Sequence, residues 1–313
     1  MEFGRAKILE ELAVTIPDYL NRGESTDRIW ESIDSKRLIS SGNAKESPVD
    51  LGLKFTQASK ICQSDPLYDR SKKIQTLIPT LDKMFYGGLG RKEVGIFMAF
   101  TGVGKSAMLV NLGQAALIQK LPVIHISIGE LEEPDILLRY AARTTLMPQS
   151  KILRPENNEE YTKLSMDFVD RYQPKLLTKW FPIGTKVSQI RSFISRCKLE
   201  HKIDPAILLV DNASDLMAGT SPRDTSSYEE KGNVYAELKN LAHDFNVVIW
   251  TDSQTNRNAL RAETIELDSM AESMKKAFKS DVVITINQTG EDLVNNQYRL
   301  HIAKARRYRK PSE

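Results

Sequence analysis

The stretch Ala99-Phe100-Thr101-Gly102-Val103-Gly104-Lys105-Ser106 constrains this chain more than any other. It reads as a phosphate-binding loop because of what flanks it. The apolar run Val94-Gly95-Ile96-Phe97-Met98 before it suits a buried strand, and Ala107 to Ile118 after it carries Leu109, Leu112 and Ala116, as a packed helix would. In that setting the backbone N–H groups at the helix start face phosphates, Lys105 reaches the terminal phosphates, and the Ser106 hydroxyl can ligate magnesium. Gly104-Lys105-Ser106 alone could be a turn before a surface helix; the neighbouring strand and helix favour the phosphate reading. Ala99 stands where the general pattern has glycine.

Further strands alternate with helices. Pro122 to Ile128 reads as a strand ending in Gly129-Glu130-Leu131-Glu132-Glu133. A carboxylate at such a strand end, beside the phosphate loop, can polarise an attacking water. Glu132 and Glu133, next to Pro134, suit the first turn of a helix, where acids favour the dipole, so Glu130 is the candidate base. A strand at Leu176 to Trp180 precedes a helix with Val187, Ile190, Ile194 and Cys197 on one face. Ala206-Ile207-Leu208-Leu209-Val210-Asp211 reads as a fully buried strand that delivers a carboxylate to a magnesium shell; Asp215 reads as a helix or turn residue. Tyr228 to Phe245 is an amphipathic helix. The strand Asn246 to Thr251 follows, ending in Asp252-Ser253-Gln254-Thr255-Asn256-Arg257, either an ordinary polar turn or a place where Gln254 senses the terminal phosphate. Strands at Asp281 to Asn287 and Tyr298 to Ala303 complete a mainly parallel α/β sheet.

With 313 residues, 41% of them hydrophobic, the chain can bury one large or two modest cores. Ala6 to Leu20 suits a helix that packs on its own domain or docks on a neighbouring subunit, and Asp34 to Asp50 reads as a linker. Residues 1–50 are therefore expected to form a helical segment and linker, and 51–313 the α/β domain. A net charge of +3 neither demands nor excludes nucleic acid; the clustered bases are Arg299, Lys304, Arg306, Arg307, Arg309 and Lys310. Cys62 and Cys197 lack metal-ligand spacing and read as reduced thiols of a cytoplasmic protein. The charged N-terminus does not read as a signal peptide, and no stretch reaches membrane-spanning length.

From about Ile74 to Arg307 the order of these segments resembles the RecA-fold motor domain of hexameric replicative helicases, the DnaB-like family, in its phage branch. An Ala-first phosphate loop is usual there. Ser127 to Arg139 resembles the family strand ending in the catalytic Glu, with Gly129 as a departure. Ile207 to Met217 resembles its magnesium Asp motif with one extra residue. Thr251 to Arg257 is similar to its Ser-Gln-x-Asn-Arg segment, Ala271-Glu272-Ser273 to the loop lining its central channel, and His301 to Arg306 to its Ala-Lys-x-Arg motif.

The resemblance implies a RecA-like P-loop NTPase that binds ATP (or another NTP) and Mg2+, and that translocates on single-stranded DNA and unwinds duplex as a hexameric ring. Primase and a helicase loader are the implied further partners. In this reading Ala99 to Ala107 hold nucleotide, Lys105 acts on the terminal phosphates, and Ser106 and Asp211 organise magnesium. Glu130 aligns water, Gln254 senses the terminal phosphate, and Lys304 and Arg306 reach the neighbouring subunit's site. Asn256, Arg257, Asn258 and Arg261, with Glu272, Ser273 and Met274, face DNA; Asn256 and Arg257 have a buried structural role as their alternative. The family usually adds an N-terminal helical domain and at least one strand after the last motif, so the chain is expected to be a fragment or a trimmed relative. A RecA- or clock-type ATPase without unwinding, and a nucleotide-dependent ring-assembly or loader subunit, are the competing readings.

Overall fold

The computed structural model describes residues 72–200, 202–219, 227–254 and 279–308, together with positions 16, 17, 19, 21, 22 and 60. The chain divides into two compact units, Met1–Ile61 and Cys62–Glu313. In the first, residues 16, 17, 19 and 21 are helical, and most of the expected 1–50 segment lies outside the described residues, as does Cys62.

In the second unit a seven-stranded sheet has the order β3-β2-β4-β5-β1-β6-β7. Its strands are β1 (Val94–Ala99), β2 (Val123–Ile128), β3 (Leu176–Phe181), β4 (Ile207–Asp211), β5 (Val248–Gln254), β6 (Val282–Asn287) and β7 (Arg299–Ala305). All neighbours pair in parallel except β6 and β7, which are antiparallel. Every residue of β1, β2, β4 and β6 is buried, so these strands are mostly apolar along their whole length instead of alternating. β5 departs from expectation. It runs on through Asp252 and Ser253 to Gln254, and the first two are buried strand residues instead of a polar turn. Backbone pairing with β1 as far as Ala99↔Gln254 overrides their low strand propensity.

Helices cover both faces. α1 (Pro79–Met84), α2 (Lys105–Ile118) and α3 (Glu133–Thr145) pack over Phe97, Leu209, Trp250 and Ile284. After a short α4 (Gln149–Ile152), α5 (Asn158–Tyr172) packs on α3. On the opposite face, α6 (Val187–Glu200) and α7 (Ser227–Phe245) bury Ile190, Ile194, Leu238 and Leu241 against Ile126, Val210 and Ile249. None of the described helices is long and apolar enough to cross a membrane.

α2 is apolar on nearly every side because it is wedged between the sheet and α3. The wedge needs a glycine: a Cβ at Gly113 would lie 1.9 Å from the Tyr140 hydroxyl. That hydroxyl pairs with His125 Nδ1 at 3.0 Å, deep in β2, while His125 Nε2 is buried without a partner. Burial, aided by the Arg139 charge, lowers the His125 pKa from 6.5 to about 3. As pH falls through that window, the unfolded chain takes up a proton that the folded chain refuses, so stability is lost. A shift of that size is worth about 5 kcal/mol. His125→Gln should flatten the acid limb of a stability–pH curve relative to wild type. Unfolding midpoints of both proteins measured across the window check this, and parallel curves would refute it.

Candidate functional site

β1 ends at Ala99, and the chain passes through Phe100, Thr101, Gly102 and Val103 to Gly104, the N-cap of α2. Gly102 and Gly104 have φ of 85° and 100°, the left-handed region that glycine enters without strain. The Val103 N–H donates to the Phe100 carbonyl at 3.4 Å and the Met108 N–H to Gly104 at 3.0 Å, which closes the loop onto the first helical turn. The first-turn N–H groups of α2 are thus presented to an anion. Lys105 is buried, with its ammonium 3.4 Å from the Phe100 carbonyl oxygen; Ser106 is half-buried and Ala107 exposed.

Strand alternation gathers the acids. Leu209 and Trp250 belong to the core on the α2 face, so two residues further along each strand Asp211 and Asp252 share that face. The Ser106 hydroxyl hydrogen-bonds Asp211. Burial pushes the Asp211 carboxyl up, against the pull of that bond, Arg139 and Lys105, while Glu130 adds to the rise. Asp252 is pushed well up by burial and then by Asp211, with Lys105 opposing. One oxygen of each, Asp211 Oδ2 and Asp252 Oδ1, is buried without a hydrogen-bond partner. An unpaired buried carboxylate oxygen beside a hydroxyl is a donor set that fits magnesium.

The three glutamates after β2 have different surroundings. Asp135 Oδ2 accepts from the Glu132 N–H at 3.1 Å at the start of α3. Glu133 Oε1 accepts from the Trp180 N–H at 3.1 Å and lies 3.7 Å from the Lys179 ammonium. Glu130 is exposed and acts on Asp211 by charge; among the described residues it has no ion-pair partner. Gln254 is exposed beside Ala99. Glu133 stands in the first turn of α3, as expected, and Glu132 one residue earlier, at its N-cap; Asp215 lies in a short 3-10 helix, Ala213–Asp215, which matches the sequence expectation.

Lys304 and Arg306 lie at the other end of the sheet. β7 runs from Arg299, opposite Asn287, down to Ala305, opposite Val282, and the Arg306 N–H donates to Asp281 at 2.8 Å. The six residues of β1 separate them from the phosphate loop by about 20 Å, beyond the reach of a side chain. A buried ionic network fixes this end. Arg307 Nη1 reaches Glu93 Oε1 at 3.1 Å and Asp281 Oδ1 at 3.0 Å, Lys239 pairs with Asp281, and the Tyr308 hydroxyl donates to Glu93. The Arg307 guanidinium, although at the surface, is therefore tied to two buried acids, whereas Arg306, also exposed, has no ion-pair partner among the described residues. Lys304 donates to the Ser280 carbonyl at 2.6 Å, and burial, with the Arg306 charge, lowers its pKa to about 8.

The family model for the DnaB-like helicase C-terminal domain matches residues 73–309. The chain belongs to this family. A DnaB-like replicative helicase of Enterobacteria phage T4 is 23% identical over 245 residues, which are 76% of this chain and 51% of that protein; the chain thus spans about half the length of the curated relative it matches. Two solved structures share the fold at 18% identity. One is an ATPase domain, with a TM-score of 0.66 over 84% of this chain and 93% of that one. The other is a DnaB-like replicative helicase described with its interactions with primase, with a TM-score of 0.70 over 98% of this chain and 72% of that one.

The fold of this DnaB-like domain brings together Ala99 to Ala107, Glu130, Asp211 and Gln254, and keeps Lys304 and Arg306 apart from them. Asn256, Arg257, Asn258, Arg261, Glu272, Ser273 and Met274 lie outside the described residues. Sequence reasoning missed Tyr298, whose hydroxyl lies 3.4 Å from where a Cβ on Gly104 would stand; only the antiparallel return of β7 brings it to the loop. It also missed Asp252, although an acid at a strand end beside the magnesium motif was a readable signal.

Proposed function

We propose that this chain is the ATP-hydrolysing motor of a DnaB-like replicative helicase, working at subunit interfaces of a ring that translocates on single-stranded DNA and unwinds duplex. The observation that carries the proposal is the split site: Lys105, Ser106, Asp211 and Glu130 at one end of the sheet, Arg306 and Lys304 at the other. A second copy, turned head to tail, completes it.

Lys105 and the loop amides bind the terminal phosphates of ATP, and Ser106 and Asp211 hold the metal. Magnesium, when bound, offsets charge on the phosphate oxygens. Glu130 orients the attacking water, and Arg306 of the adjacent subunit neutralises the charge that develops on the transferred phosphoryl group. Gln254, next to the loop, reports the terminal phosphate to the segment after β5. DNA contacts by that segment and by Glu272 to Met274 are to the backbone and independent of base sequence. Primase and a loader are the proposed partners of the whole assembly.

ATP hydrolysis with and without single-stranded DNA, on protein whose oligomeric mass is measured in the same buffer, tests the reading. Strong stimulation with a ring-sized mass is expected. Nucleotide-dependent assembly without stimulation would transfer the chain to the assembly-subunit reading. Glu130→Gln should retain ATP binding and lose about 10²- to 10⁴-fold in turnover, while Glu132→Gln stays near wild type. The reverse pattern in steady-state assays would displace Glu130 as the base.

A further inference from the structure

We infer that Asp252 and Asp211 together form a divalent-cation site that fills without nucleotide. A phosphate loop ordinarily brings one carboxylate to its metal, and the remaining ligands come with the nucleotide and water. Here the adjacent strands β4 and β5 each deliver an acid to the α2 face, with Val210 and Thr251 as register partners one residue before them. Both are more than nine-tenths buried, and each keeps one oxygen with no hydrogen-bond partner. Among the described residues Asp252 has no ion pair that would explain a buried acid there: its carboxyl bonds with its own backbone N–H, and the Tyr235 hydroxyl donates to its backbone carbonyl, not to its side chain.

Charge points the same way. Asp211, Asp252, Asp215 and Glu130 act on this spot, while the cations acting on it are Lys105 and Arg139. Acids thus outnumber bases around the two unpartnered carboxylate oxygens, and a divalent ion would favour their ionised forms. Asp215 is already engaged by the Asn212 amide at 3.0 Å, which leaves Asp211, Asp252 and the Ser106 hydroxyl as the donors. An all-oxygen set of this kind suits Mg2+ or Mn2+ over softer metals. When ATP arrives, such a site already holds its metal, so the nucleotide binds to a preloaded loop.

The inference rests on the proposed role of Asp211. It is tested by titrating the nucleotide-free full chain with Mn2+ and reading free Mn2+ by electron paramagnetic resonance. Saturable binding is expected, weakened about 10- to 100-fold by Asp252→Asn. The variant replaces a buried carboxyl by a neutral group of the same shape and should melt no lower than wild type in chelator, which separates loss of the site from loss of the fold. Absence of saturable binding in wild type with ATP turnover intact overturns the inference and leaves the proposed function standing. Unchanged binding in Asp252→Asn, with loss in Asp211→Asn, assigns the metal to Asp211 alone and likewise overturns it. Unchanged binding in both variants removes the metal role of Asp211 as well.

Discussion

Arg306→Ala lowers ATP turnover by about 10³- to 10⁵-fold, and mixing it with Lys105→Ala subunits restores part of the loss. Both halves of this expectation follow from the sheet. Arg306 leaves β7 at the end opposite the phosphate loop, so it contributes nothing to its own chain's site. In a mixed ring an intact pocket on the Arg306→Ala subunit faces an intact arginine on the Lys105→Ala subunit, and that interface turns over. Arg307→Ala behaves differently. Its guanidinium spans Glu93 and Asp281, both fully buried, so its loss leaves two acids uncompensated and lowers the melting temperature before it touches chemistry. Turnover of the mixture as a function of subunit ratio is the measurement. A mixture no better than the sum of its parts would refute action across the interface.

Lys105→Ala is expected to abolish nucleotide turnover, by at least about 10²- to 10³-fold, since it removes the charge held against the terminal phosphates. It has a second effect that a loop lysine on a surface would not have. Lys105 is buried and is the cation that acts on both Asp211 and Asp252. Without it the two carboxylates lose compensation, and the nucleotide-free protein should be less stable by about 1–3 kcal/mol in metal-free buffer. Adding Asp252→Asn to Lys105→Ala should recover much of that stability and none of the turnover. Denaturant melts of the two single variants and the double variant, set in a cycle with wild type, read the coupling. Strict additivity would mean that Lys105 and Asp252 do not sense one another.

Local pattern reached a long way into this site. The strand–loop–helix around Lys105, the apolar run ending in Asp211 and the helix that carries Ile190 and Ile194 on one face are all readable, because each is a short-range pattern whose burial enforces itself. Glu130 stood apart from Glu132 and Glu133 only through the proline that marks a helix start, and the contacts of α3 and β3 agree with that division. Asp252 was read as the start of a strand-end turn because two acids at neighbouring strand ends break the local rule that buried strands are apolar. Such breaks are expected where a site is being built.

The parallel α/β architecture, the phosphate loop, the acid that ends β4 and the family are all written into the order of residues, because hydrophobic period and turn chemistry act over a few positions. Which residues meet was settled in three dimensions. The strand order sets Asp252 beside Asp211, and the antiparallel return of β7 sets Tyr298 against Gly104 while carrying Arg306 to the far end. Packing also chose which of two adjacent exposed arginines is left unpaired among the described residues, because Glu93 and Asp281 are buried acids that must hold a cation, and Arg307 is the one they hold.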